Sequence, residues 1–245
     1  MKLKVISSSS AGNCYLLYNA NETLILECGV KASHIKQALN FDLSKVVGVL
    51  VTHEHKDHCV AAADMVNAAL NIYSSAGTLK AFGFKSTRLH AVENYKEFQL
   101  GGFKIKAFDA VHDCAEPVNY LIEHEEMGRL VFITDSYYCK YSFPHLNNII
   151  IEANYSQAIL DKKLADGATP DFLRNRVLQS HMSLDTCKQF LSANDLRGVN
   201  NIVLCHLSES NSNAVDFKQQ VKNHTGKAVH IADKGLTINF DKTPF

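Results

Sequence analysis

Six consecutive residues, His53-Glu54-His55-Lys56-Asp57-His58, carry most of the chemistry that this sequence offers. Neutral imidazole suits zinc and similar ions, and a carboxylate completes such a site. Because side chains alternate along an extended chain, His53 and His55 are expected on one side, while Asp57 and His58 can turn toward a second ion. Ligand-type residues at this density predict a metal site rather than a solvated polar loop.

The histidine run must be positioned by the element before it, the apolar residues 46–51, which are typical of a buried strand. Three further ligand-type residues, His112, Asp135 and His206, each follow an apolar, strand-like segment. Side chains at strand ends can converge along one edge of a sheet and be held rigidly there. The sequence therefore predicts one metal site built from distant segments. Its predicted ligands are His53, His55, Asp57, His58, His112, Asp135 and His206.

Length and charge limit the remaining possibilities. The chain has 245 residues, enough for one large α/β domain or two small ones, and 46% of them are hydrophobic. Lys plus Arg and Asp plus Glu both number 25, so the net charge is zero. A protein that binds long nucleic acid usually carries more lysine and arginine than aspartate and glutamate. The composition thus favours a small substrate.

The cysteine count bears on the compartment. Seven cysteines, an odd number with no C-x-x-C pair, argue against a disulfide framework or a structural zinc knuckle. Residues 1–6 lack the apolar core of a signal peptide, and no stretch approaches the length of a membrane span. We expect a cytoplasmic protein without a membrane partner.

The order of elements indicates the fold class. Strand-like segments dominate residues 2–152, interrupted by helical stretches near residues 31–39 and 61–70, and helices and strands alternate afterwards. Residues 7–13 form a stretch of small residues that predicts a loop. This α/β order is typical of a sandwich of two sheets flanked by helices.

These motifs together resemble the metallo-β-lactamase superfamily: the histidine run, His112, the step Thr134-Asp135-Ser136 and the segment Cys205-His206-Leu207-Ser208. The resemblance implies an αββα sandwich, as a single hydrolase domain over residues 1–245, with a dinuclear metal site at one edge. In that family pattern His53, His55 and His112 hold one ion, Asp57, His58 and His206 hold the other, and Asp135 bridges them. One departure is Glu27-Cys28-Gly29, where the family usually has Asp-x-Gly.

Other segments resemble the YycJ/WalJ-like and ribonuclease Z-like branch, to which the phage anti-Pycsar phosphodiesterases are close. They are residues 7–15, the segment Glu152-Ala153-Asn154-Tyr155, the step Ser180-His181-Met182-Ser183 and residues 206–211. The resemblance implies a phosphodiesterase that hydrolyses 3′,5′-cyclic mononucleotides by attack of a metal-bridging hydroxide, and a counter-defence enzyme in the host cytoplasm if the source is viral. The alternative is a DNA or RNA exonuclease. A thioester hydrolase and a non-catalytic nucleotide sensor are further alternatives, whereas the acidic bridge at Asp135 argues against β-lactam hydrolysis.

The resemblance also implies roles for single residues. Asp57 and His181 are the predicted catalytic residues, with His181 as the proton donor to the leaving oxygen, although a helix-capping role for His181 is the alternative. Asn13, Ser208 and Asn211 are predicted to contact the substrate, or else to serve as turn and capping residues. The implied cofactors are two divalent ions, zinc first and manganese as the alternative, and the implied assembly is a homodimer.

Overall fold

Two seven-stranded sheets pack face to face in the computed structural model, which describes residues 1–166 and 171–243. Helices cover the outer faces of both sheets. The predicted αββα sandwich is confirmed. The predicted extent, 1–245, includes residues 167–170 and 244–245, which lie outside the described residues. Among the described residues, no helix combines the length and the apolar character needed to cross a membrane.

The first sheet has the strand order β14-β1-β2-β3-β4-β5-β6. The strands β14 to β3 pair antiparallel, and β3 to β6 pair parallel. Its strands are β1 (Lys2–Ser9), β2 (Gly12–Tyr18), β3 (Thr23–Leu26), β4 (Val46–Leu50), β5 (Ile72–Ser74), β6 (Leu89–Ala91) and β14 (Thr237–Asn239). The helices in this half of the chain are α1 (Ala32–Ala38), α2 (Lys56–Cys59), α3 (Ala62–Asn67) and α4 (Ala76–Ala81).

The second sheet has the order β13-β12-β11-β10-β9-β8-β7. Here β7 to β10 pair antiparallel, and β10 to β13 pair parallel. Its strands are β7 (Glu97–Leu100), β8 (Phe103–Asp109), β9 (Val118–His124), β10 (Gly128–Ile133), β11 (Leu146–Glu152), β12 (Asn201–Cys205) and β13 (Ala228–Ile231). Its helices are α5 (Gln157–Ala165), α6 (Asp171–Ser180), α7 (Leu184–Ser192) and α8 (Ala214–Thr225).

Three apolar clusters hold the layers together. One lies between the sheets and contains Tyr120 and Phe132. A second joins α7 and α8 to the second sheet through residues such as Phe217, and a third joins α1 and α3 to the first sheet through Ile35 and Met65. All five of these side chains are buried, and each such burial contributes about 1.5–3 kcal/mol to stability.

The strand directions determine where the site forms. Strand β9 pairs antiparallel with both β8 and β10, so β8 and β10 run in the same direction. Strands β11 and β12 pair parallel and share this direction. Their carboxyl ends therefore share one edge of the second sheet. The register places Glu152 opposite Cys205, so the ends of β11 and β12 are level there.

The predicted loop over residues 7–13 was wrong. Strand β1 continues to Ser9 and β2 begins at Gly12, which leaves a turn of two residues, Ser10 and Ala11. A Cβ atom at Gly12 would lie 2.3 Å from the carbonyl oxygen of Gly29. The absence of a side chain at Gly12 thus lets this hairpin pack directly against the segment after β3.

Candidate metal centre

The histidine run forms the junction between β4 and the short helix α2. His53 and His55 lie in the loop, His55 occupies the N-cap position of α2, and Asp57 and His58 lie on the helix itself. The change from extended chain to helix turns the second pair of side chains away from the first. This local geometry produces two groups of ligands from six residues.

The first group is His53, His55 and His112, whose candidate ligand atoms lie within 4.8 Å of one another. The Thr52 Oγ1 atom lies 2.9 Å from His53 Nδ1, and the Ser180 carbonyl oxygen lies 2.7 Å from His112 Nδ1. These contacts occupy the outer ring nitrogens and fix the ring orientations, as the outer partners of metal-bound histidines do.

The second group is Asp57, His58, Asp135 and His206. Asp57 Oδ2 lies 3.4 Å from His58 Nε2 and 3.3 Å from His206 Nε2. Asp57 and His206 are 149 residues apart in sequence. This contact joins α2, which follows β4 of the first sheet, to the carboxyl end of β12 in the second sheet.

Asp135 lies between the two groups. Its Oδ2 atom is 3.7 Å from Nε2 of His53, 3.7 Å from Nε2 of His112 and 3.3 Å from Nε2 of His58, while its Oδ1 atom is 3.3 Å from Nδ1 of His206. All seven predicted ligands are thus brought together at one edge of the sandwich. The backbone of Asp135 is left-handed, with φ of 43°, and so is that of His206, with φ of 51°. Such conformations cost about 1–3 kcal/mol each, so the surrounding contacts must hold them in place.

Glu27 stands behind the second group. Its carboxylate is fully buried, its Oε1 atom lies 3.5 Å from His58 Nδ1, and it accepts a hydrogen bond from the Thr52 backbone N–H. The longer side chain of Glu27 therefore reaches the outer nitrogen of His58, and its backbone is also left-handed, with φ of 61°.

Glu152 is buried and contacts several residues of the site, although no role was predicted for it. Its Oε1 atom lies 2.7 Å from Nδ1 of His181 and 3.3 Å from Nδ1 of His206, and its Oε2 atom accepts hydrogen bonds from the backbone N–H groups of Ser136 and Met182. Burial alone lowers the pKa of His181, but the Glu152 carboxylate outweighs it and raises that pKa above its ordinary value. The sequence signals for Glu152 were its position as the last residue of a strand and its place in the segment Glu152-Ala153-Asn154-Tyr155.

The charges and donor atoms of this cluster fit divalent cations. Four buried or half-buried carboxylates, those of Glu27, Asp57, Asp135 and Glu152, converge on imidazoles. His53 Nε2 is buried and, among the described residues, has no hydrogen-bond partner. Burial of such an atom is costly unless another group satisfies it. A set of nitrogen and oxygen donors with one inward-facing nitrogen unsatisfied is suited to ions such as zinc.

A cleft of about 430 Å³ opens onto these residues. The residues that line it beside the ligands come from α5, α6, the loop after α6, the segment after β12 and the first hairpin. They are Leu160, Arg176, Val177, His181, Ser210, Asn211 and Ser10. Arg176, whose Nε atom lies 3.5 Å from Asp113 Oδ2, brings a guanidinium to the mouth of the cleft. Nothing in the sequence near Arg176 indicates a functional role for it.

The three predicted substrate contacts lie in different places. Asn211 lines the cleft, and its side-chain oxygen accepts a hydrogen bond from Lys163 at 3.0 Å. Asn13 is fully buried, its amide donates to the carbonyl oxygens of Ser9 and Asp57, and its Nδ2 atom lies 3.1 Å from Nε2 of His58. Ser208 lines a separate cavity, and its Oγ accepts from the backbone N–H of Asn211. The structure thus brings Asn211 to the cleft, packs Asn13 against the candidate ligand His58 and places Ser208 in a neighbouring cavity.

Comparison with known sequences identifies relatives. A family described as the β-lactamase superfamily domain matches residues 25–207. The exodeoxyribonuclease WalJ of Streptococcus pneumoniae is 24% identical, over 98% of this chain and 92% of its own length.

Solved structures share the fold over nearly the whole chain. The metallo-β-lactamase fold protein YhfI of Bacillus subtilis superposes with a TM-score of 0.73 at 18% identity, covering 97% of this chain and 99% of its own. The short form of human tRNase Z superposes with a TM-score of 0.65 at 15% identity, covering 98% and 99%. At these identities the structural likeness concerns the fold alone.

Proposed function

This chain belongs to the β-lactamase superfamily domain family, and on that basis we propose that it is a dinuclear metal-dependent phosphodiesterase. The observation that carries the proposal is the position of Asp135, whose carboxylate lies between the group His53, His55 and His112 and the group that contains His58 and His206. A carboxylate placed between two groups of donors can bridge a pair of adjacent cations.

The proposed ligands are the seven residues predicted from the sequence. His53, His55 and His112 would hold one ion and Asp57, His58 and His206 the other, with Asp135 placed between the two groups. When bound, two divalent cations lower the pKa of a water molecule toward neutrality and neutralise charge on a phosphodiester. Zinc is the proposed metal because five of the seven donors are imidazoles, and manganese is the alternative.

The chain's own residues handle the remaining steps. His181 lies on the cleft wall, and its Nδ1–H is held by Glu152, so its Nε2 edge is available to protonate the leaving oxygen. Asp57 would hold one of the ions, and its contact with His206 aligns that ring. Arg176 and Asn211 offer hydrogen-bond donors to non-bridging phosphate or sugar oxygens at the mouth of the cleft.

Two substrate classes fit this centre, and a different observation favours each. The first is a 3′,5′-cyclic mononucleotide, which the bounded cleft of about 430 Å³ and the zero net charge support. The test is incubation with cyclic nucleotides and zinc or manganese, followed by chromatography. Appearance of the linear monophosphate is the expected result, and survival of every cyclic nucleotide overturns this substrate class. A counter-defence role like that of the anti-Pycsar enzymes is part of this proposal and requires that a cyclic nucleotide is hydrolysed.

The second class is the end of a nucleic acid strand. It is favoured by the relative WalJ, an exodeoxyribonuclease matched over nearly the whole chain. End-labelled DNA and RNA in the same incubations distinguish the classes, because stepwise shortening is expected only from an exonuclease.

The proposal also includes a cytoplasmic location, a homodimeric assembly and a single domain over residues 1–245. Size-exclusion chromatography with light scattering tests the dimer.

A further inference from the structure

A second cavity, which we call the basic groove, lies on the opposite side of the first hairpin from the metal cleft. It encloses about 560 Å³ between β1, α1 and the turn before β14. Its charged or titratable lining groups are Lys4, Lys31, His34 and Lys234, and none of its described lining residues is acidic. In a chain whose charges balance at 25 and 25, this is a local concentration of positive charge.

The first hairpin is the wall between the basic groove and the metal cleft. Ser10 lines the cleft, whereas Ser7 and Ala11 line the groove. Ser8, between them, accepts a hydrogen bond at its Oγ from the backbone N–H of His206 at 2.9 Å. A turn of two residues therefore separates the proposed ligands from the groove.

The segment after β3 gives a second link between the two cavities. Gly29 packs so closely on the ligand helix α2 that a Cβ atom there would lie 1.7 Å from the Asp57 carbonyl oxygen. Lys31, two residues further along the chain, lines the groove.

The floor and sides of the basic groove are fixed by the fold. Ile6 and Val30 are buried and form an apolar floor. The Lys4 ammonium donates to the Ala38 carbonyl oxygen at 3.1 Å, which holds its charge along the groove. Lys31 and Lys234 are exposed at the rim. Ammonium groups along an apolar trough are suited to a chain with regularly spaced anionic groups and apolar faces.

We infer that the basic groove binds the phosphate backbone of a single-stranded nucleic acid whose end occupies the metal centre. This rests on the nucleic-acid form of the proposed function. A cyclic mononucleotide bears a single phosphate, which the metal centre itself engages, and so makes no use of the groove. A polyanionic strand spans both cavities, and the charge of the groove then supplies affinity that depends on strand length and salt.

The first test measures binding without turnover. The double variant Lys31→Glu, Lys234→Glu is compared with a matched control, Lys85→Glu, Lys218→Glu, which reverses two exposed lysines of the loop after α4 and of α8. The probe is fluorescein-labelled oligothymidylate of two or twelve nucleotides in chelator, followed by anisotropy. For the long probe we expect roughly tenfold weaker binding by the groove variant and a salt slope reduced by about 1.4, at about 0.7 per phosphate contact.

Equal affinities of the groove variant and the control overturn the inference. So does a groove variant that loses affinity equally for both probe lengths. Poly-glutamate is the counter-probe, because an acidic protein segment is the other polyanion that the groove could accept. The inference is also overturned if the groove substitutions weaken the binding of poly-glutamate and leave the binding of oligothymidylate unchanged.

The second test separates this inference from the proposed function. With metal present, turnover of bis(p-nitrophenyl) phosphate by the groove variant is expected to match the parent, while kcat/KM on the long oligonucleotide falls roughly tenfold. A parent that hydrolyses the small diester but degrades no oligonucleotide contradicts the groove assignment and leaves the phosphodiesterase proposal intact. A parent inactive on all diesters with metal bound contradicts the proposed function itself.

Discussion

The carboxylate of Glu27 lies 3.5 Å from Nδ1 of His58, fully buried behind the second ligand group. Removal of this outer partner in Glu27→Ala is expected to weaken metal binding by about 10–100-fold, because the imidazole loses the group that orients it. Isothermal titration of metal into the chelator-treated chain measures the change. The control is Glu22→Ala, which removes a carboxylate 3.1 Å from His124, away from the cluster. Equal metal affinities of the two variants contradict the assigned role of Glu27.

Metal content tests the division of the ligands into two groups. The parent is expected to hold two divalent ions per chain, and His206→Ala close to one, because the group around His53 stays complete. Elemental analysis after dialysis gives the stoichiometry. Metal at a hundred times its Kd should also stabilise the fold by about 2.7 kcal/mol, which thermal unfolding with and without chelator detects. A parent free of stoichiometric metal that is fully active in chelator rules out the dinuclear site.

Gly29 sets how closely α2 can approach. Gly29→Ala forces a Cβ atom against the Asp57 carbonyl, 1.7 Å away, and is expected to cost about 1–3 kcal/mol of stability together with binding at the second ligand group. Gly198→Ala is the matched control, because its Cβ would meet its nearest atom only at 3.1 Å. Urea unfolding and metal titration compare the two. An unchanged metal stoichiometry in Gly29→Ala removes the proposed link between this contact and the site.

His181 is expected to matter most when the leaving group needs a proton. For His181→Ala we expect kcat to fall by about 10²–10⁴-fold on a nucleotide diester, because an alkoxide is a poor leaving group without a donor. On bis(p-nitrophenyl) phosphate the loss should be much smaller, since p-nitrophenolate leaves unprotonated. Steady-state kinetics on both substrates measure the contrast. A loss of equal size on both would mean that His181 positions other groups and does not donate the proton.

Asp109 provides a pH-dependent contribution away from the ligands. Burial raises its pKa, but hydrogen bonds from Lys140 at 2.8 Å, Tyr141 and Tyr95 outweigh this and lower it from the ordinary 3.8 to about 2. A depressed carboxyl pKa stabilises the folded state above pH 3.8 and ceases to do so as the pH falls through about 2. Asp109→Asn is therefore expected to cost up to about 1 kcal/mol at pH 7, and this difference from the parent should shrink between pH 4 and 2.

Urea unfolding of parent and Asp109→Asn across this pH range makes the measurement. The control is Asp185→Asn, which removes an exposed carboxylate paired with Lys188. A difference between parent and Asp109→Asn that is constant down to pH 2 contradicts the assignment.

The strands and the clustering of the seven candidate ligands were predictable because they depend on local patterns. The apolar run before His53 and the similar runs before Asp135 and His206 predict buried strands, and polar residues directly after them predict a shared edge. The roles of Glu152 and Arg176 depend instead on contacts across the fold, with His181, 29 residues away, and with the cleft mouth. The first hairpin was predicted as a loop because small residues favour turns, whereas close packing of Gly12 on Gly29 permits strand pairing there.

The meeting of Asp57 on α2 with His206 after β12 has a mechanical consequence. A cation held by both side chains, as proposed above, would tie the two layers of the sandwich together across 149 residues of chain, as a cross-link does. Its loss would remove this restraint between the layers. Hydrogen exchange at the ends of β4 and β12 should accelerate together when the ion leaves, since both ends lose the same restraint.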